Sequence, residues 1–98
     1  MTIPTPLELM IPILDFSKDK EEKNIDQTLE YLKDKFELTP DEINSTNTNG
    51  HSIISNNIKS ARKYLVQSGL LEYTKKEYAK ITENGLKVLQ NKTVILYF

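Results

Sequence analysis

Asn56, Lys59 and Lys63 recur along a run with helical patterning, and Ser52, Ser55 and Ser60 accompany them. An asparagine amide offers a donor beside an acceptor, the pair that matches an adenine edge in a major groove. Lysine ammonium groups reach guanine or phosphate oxygens, and hydroxyls near a helix start sit where backbone N–H groups already favour a phosphate. Arg62 lies at the flank of the same run, and Lys75 and Lys76 form the next basic cluster along the chain. The chemistry these side chains offer is recognition of a polyanion with readable edges. It is binding, not bond breaking.

Groups for catalysis are sparse. His51 is the single histidine, and no partner for a triad or a metal site lies near it in sequence. Cysteine is absent, which removes disulfides and thiolate metal sites and makes a reducing cytoplasm the natural setting. Asp15, Asp19, Asp34 and Asp41 are scattered without the spacing a metal pair needs. The three glycines, at 50, 69 and 85, form no phosphate-cradling loop. No cofactor and no metal are expected.

The elements that must position the polar residues can be read from their starts and stops. Thr5-Pro6-Leu7-Glu8 is a helix start, with Thr5 as N-cap, Pro6 in the first turn and Glu8 closing a capping box. The helix runs apolar to Phe16, and Pro12 inside it is expected to introduce a kink. Lys18 to Lys23 reads as a solvated turn. Asn24 and Gln27 open a second helix that carries Leu29, Leu32 and Phe36 to about Glu37. Thr39-Pro40-Asp41-Glu42 repeats the first start and opens a short helical turn. A polar loop from Asn44 to His51 follows, with Asn49-Gly50 as its sharpest turn signal.

The next helix should begin near Ser52. At 100 degrees per residue, Ile54, Ile58, Ala61 and Leu65 fall within about 40 degrees of one line, which makes them the buried stripe. Ser52, Asn56, Lys59, Ser60, Lys63 and Gln67 lie opposite, and Asn57 and Arg62 fall on the flanks. Gly69 stops the helix. Leu71 to Thr74 and Tyr78 to Thr82 read as two strands of a hairpin with its tip at Lys75-Lys76-Glu77, a tip without the glycine that tight turns favour. Tyr64, Tyr73 and Tyr78 are expected in core or hairpin packing. Thr82 to Gly85 opens a last helix carrying Leu86, Val88 and Leu89.

Ninety-eight residues suffice for one domain with a modest core. Charge is unevenly spread: residues 1–50 hold 11 acids and 5 bases, residues 51–98 hold 3 acids and 8 bases. Such a split makes one face attractive to a polyanion, unless the two halves spend their charge on each other. No basic leader segment is visible at the start, and no apolar run approaches the ~20 residues that span a bilayer. Thr93 to Phe98 form an apolar, strand-prone tail, expected to pack on its own domain or across a dimer axis.

Helices, a hairpin and a closing helix in this order make a winged helix. The particular residues go further. Ile3-Pro4-Thr5, Glu8-Leu9-Met10, Pro12-Ile13-Leu14, Ala61-Arg62-Lys63-Tyr64-Leu65, Ser68-Gly69-Leu70-Leu71-Glu72 and Ile81-Thr82-Glu83-Asn84-Gly85 together resemble the N-terminal domain of Mrr-type restriction endonucleases. The resemblance covers about residues 3–90. It implies a DNA-binding winged helix that, in the family, is joined to a separate PD-(D/E)xK nuclease domain using metal-bound carboxylates and a lysine. The present chain is similar to the reading half alone. Asn56 matches a family asparagine, whereas Asn57 stands where arginine is usual, Ser60 where tryptophan is usual, and Glu77 where the wing has glycine. His51 sits where a basic residue is common.

The expected fold is mainly α with a small β-hairpin, a winged helix-turn-helix with a three-helix core, a β-wing and a C-terminal helix. Residues 1–92 form that domain and 93–98 the tail. Duplex DNA is the expected partner, read by Ser52, Ser55, Asn56, Lys59, Ser60, Arg62 and Lys63 on the helix and Lys75 and Lys76 on the wing. A homodimer and a separate nuclease subunit are the protein partners to look for. The alternative is a winged helix that serves as a protein-interaction or dimerisation module.

Overall fold

A computed structural model describes residues 3–91; the apolar tail at 93–98, and the packing or pairing expected of it, lie outside them. The order is α1 (Pro6–Phe16), α2 (Ile25–Lys35), α3 (Pro40–Asn44), α4 (Ile53–Gln67), β1 (Leu71–Lys75), β2 (Tyr78–Ile81) and α5 (Glu83–Asn91). This is the winged helix read from the sequence. Its short α3, its loop and α4 form the helix-turn-helix, and β1–β2 form the wing.

Local chemistry sets the helix starts. Thr5 Oγ1 accepts the Glu8 N–H and the Glu8 carboxylate accepts the Thr5 N–H, at 3.3 and 2.9 Å. Asn24 with Gln27 and Thr39 with Glu42 close the same reciprocal box at α2 and α3. Each N-cap is worth about 1 kcal/mol, because it satisfies N–H groups that the helix itself leaves unpaired. α1 continues through Pro12 to Phe16 as one helix, with the Pro12 side chain buried.

That burial reflects the place of α1 at the centre of the molecule. Leu9, Met10, Ile13 and Leu14 are all essentially inaccessible. Against them pack Leu32 of α2, Ile54, Ile58, Ala61 and Leu65 of α4, and Val88 of α5. The stripe expected on α4 is therefore its buried face. The helix ends as its sequence requires: Gly69, at φ +77°, donates to Val66 O, and Leu70 N–H donates to Leu65 O at 2.9 Å. This double bond pattern is a Schellman motif, and its flanking apolar pair, Leu65 and Leu70, lies in the core.

The hairpin is antiparallel, with Leu71 opposite Ile81 and Tyr73 opposite Ala79. Its register shifts between Tyr73 and Lys75, so Thr74 is an extra residue on β1. The tip is Lys76-Glu77, and Glu77 takes the left-handed conformation, φ +67°, that glycine would fill without strain. β2 stops at Ile81, one residue short of expectation, because Thr82 is spent on joining elements. Its hydroxyl donates to Gly69 O at 2.6 Å and accepts the Gly85 N–H at the start of α5.

One segment differs from its sequence reading. Lys18 to Lys23 was expected to be a solvated turn, but Lys23 pairs with Ala79 through both backbone bonds, at 2.8 and 3.0 Å. It thus adds a one-residue third strand to the wing. Its side chain is only 13% exposed, holds Asp19 at 2.7 Å and lies over the Phe16 ring. A single residue pair carries no periodic signal, so the sequence could not display it.

Candidate nucleic-acid interface

α4 is fixed in place along both flanks, and this decides which of its polar residues remain open. Ser52 caps its start, accepting the Ser55 N–H at 3.2 Å. The loop before it is organised by Asn47, whose side-chain oxygen accepts N–H groups from Asn49 and His51, while Gly50 turns at φ +81°. On one flank Asn57 donates to Pro4 O at 2.9 Å and ties α4 to the lead-in of α1. On the other flank Arg62 reaches the wing. Two flanks are thus used for support, and one polar face is left.

That face carries Lys59 and Lys63, both exposed, with Ser52, Ser55, Asn56 and Ser60 partly accessible. None of the five ion pairs among the described residues involves Lys59, Lys63 or Lys76. The wing is less open. Lys75 lies 3.5 Å from Glu22 and 4.6 Å above the Tyr78 ring, and Lys80 lies 3.9 Å from Glu72.

Arg62, expected among the DNA-contacting residues, is only 4% exposed. Its Nη2 donates to the Glu77 carbonyl oxygen at 3.0 Å, and the guanidinium lies 5.8 Å from the centre of the Tyr73 ring. Burial pushes its pKa down, against the opposing pull of Tyr73 and Glu77. On a helical wheel Arg62 sits at the border of the stripe. The hairpin folding across that border buries it.

The tyrosines also part from expectation. Tyr78 packs as expected and its hydroxyl accepts from Asn24 at 3.2 Å, linking α2 to the wing. Tyr64 and Tyr73, expected in core or hairpin packing, are 50% and 56% exposed. Tyr73, Arg62 and Ile25 line a cleft of about 300 Å³ between α4 and the wing, with Lys59, Lys63 and Glu77 around it. An adjoining hollow of about 420 Å³ adds Asn24, Asp26, Ser55 and Tyr78. Both contain carboxylates, Glu77 and Asp26, that oppose the lysines beside them.

Only one ion pair among the described residues, Lys75 with Glu22, joins the acidic half of the chain to the basic half. The uneven charge is therefore not consumed inside the fold by paired side chains. No group of three or more metal-ligating residues occurs among the described residues, and no helix among them is long and apolar enough to cross a membrane. His51 is exposed in its loop.

Sequence reasoning missed three contributors: Asn57 and Arg62 as struts, and Asn24 as the link to Tyr78. Each acts through a long-range contact, and spacing along the chain holds no trace of it.

A family model described as the Mrr N-terminal domain matches residues 7–91 of the chain. No curated protein and no solved structure matches it.

Proposed function

The chain belongs to the Mrr N-terminal domain family, and from that premise we propose that it binds duplex DNA as the reading module of a restriction system. α4 enters the major groove and the β1–β2 wing rests on the adjacent backbone. Asn56 pairs with an adenine edge, and Lys59 and Lys63 take guanine or phosphate oxygens. Ser52 and Ser55 meet a phosphate at the helix start, where the dipole and N–H groups add to their hydroxyls. Lys75 and Lys76 hold phosphates beside the wing. Cleavage, in this reading, falls to a nuclease domain or a nuclease subunit.

The observation that carries the proposal is the open face of α4. Its lysines are free of ion pairs, its flanks are braced, and the wing adds the exposed Lys75 and Lys76. An electrostatic contact of this kind weakens by roughly 0.9 log unit per log unit of salt for each phosphate neutralised. Binding to unmodified and methylated duplexes, followed by fluorescence anisotropy across a salt series, tests it. The expected result is steeply salt-dependent binding to at least one duplex. Absence of binding to both at low salt sinks the DNA reading and favours a protein-interaction or dimerisation module, for which Glu22, Asp26 and Glu77 among the lysines would be natural contacts.

A further inference from the structure

The wing of this protein lacks the residue that usually lets such a tip turn. Glu77 holds a left-handed φ of +67°, a conformation that costs a side-chain-bearing residue energy. Something must hold it there. The only side chain among the described residues that bonds to its backbone is Arg62, from the middle of α4, at 3.0 Å. The same guanidinium lies over the ring of Tyr73 on β1, 5.8 Å from its centre. Arg62 thus touches the tip and the first strand of the wing at once.

The geometry points to Arg62 as a positioning residue that sets the wing against α4, so that lysines of both elements meet one duplex, and that makes no contact with the duplex itself. The inference rests on the DNA-binding reading for its consequence, though not for the strut. Arginine suits the role because its planar fork can bond a carbonyl while its face lies against an aromatic ring. Its burial leaves little surface for a phosphate. Lys59 and Lys63, one turn before and one residue after it, line the same cleft but are exposed where Arg62 is buried. The division of labour on α4 is then between basic residues that contact and a basic residue that aligns.

Two measurements on the full chain test this, and one needs no DNA. Arg62→Met keeps the buried stem and removes the fork. In the free protein, amide exchange at residues 74–79 should rise about tenfold more than exchange in α1, since a local support is lost while the core is kept. Equal changes in wing and α1, or an unchanged wing, would overturn the strut. The second measurement is a double-mutant cycle on duplex affinity. Changing Lys75 and Lys76 to alanine should cost about tenfold in the parent and less than about twofold when Arg62→Met is present, because a misplaced wing has already lost those contacts. Equal losses in both backgrounds would mean that Arg62 acts independently of the wing and would refute the proposal. If Arg62→Met does not fold, the same cycle and exchange are run on Arg62→Lys, which keeps the stem and charge but not the fork. If the parent binds no duplex, the DNA reading falls, and the exchange experiment still decides whether Arg62 holds the wing.

Discussion

Two residues show how closely this small fold is tuned. Gly85 begins α5 against the loop that follows α4, and a Cβ there would run into Leu70 O and lie 2.6 Å from Ile81 Cγ1. Backbone cannot yield as a flexible side chain would, so Gly85→Ala should cost about 1–3 kcal/mol. Urea unfolding measures it directly. At Glu77 the reverse holds. Glu77→Gly removes the left-handed strain and should add roughly 0.5–1 kcal/mol. It also deletes a carboxylate from the cleft beside Lys59, so duplex affinity should rise a few-fold. A stability gain without an affinity gain would mean that the cleft does not face the duplex. Glu8 gives a pH signature. The Thr5 backbone N–H and hydroxyl bonded to its carboxylate hold its pKa below the usual value. A lowered folded-state pKa stabilises above the unfolded value and is lost as pH falls through the folded one. Glu8→Gln should therefore be less stable than the parent near pH 6, and the gap should narrow as pH falls through the lowered folded-state pKa of Glu8.

At the scale of elements, the sequence was most legible where the signal is local. The Thr-Pro-x-Glu starts of α1 and α3, the Asn24–Gln27 box and Gly69 at the end of α4 all work through neighbours within a few residues. Each sits where the pattern places it. The buried stripe of α4 follows from helical geometry alone. What escaped depends on other elements. The Lys23–Ala79 bridge, the Asn57–Pro4 bond and the burial of Arg62 arise only when α1, α2 and the wing are assembled around α4. Tyr73 shows the same limit from the opposite side: it was expected in core or hairpin packing, yet of the β1 residues only Leu71 is buried. Of the candidate site, the open α4 residues and wing lysines keep accessible positions, while Arg62 is buried and bonded to the Glu77 carbonyl oxygen.

For the molecule as a whole, charge and its placement decide. A chain with 14 acids and 13 bases has no net attraction for DNA. In the proposed reading, attraction comes from where the bases stand, and the five ion pairs among the described residues leave Lys59, Lys63 and Lys76 among the unmatched lysines. Family membership over residues 7–91 supports the proposed DNA contact, and the geometry says which side chains remain available for it. The most direct test compares duplex binding of the parent with that of a variant in which Lys59, Lys63, Lys75 and Lys76 are alanine, across 50–300 mM salt on the order used for such proteins. The account predicts that the variant loses most of its affinity and that its salt slope falls by roughly 3 to 4. An unchanged affinity and slope would place the DNA contacts elsewhere and contradict it.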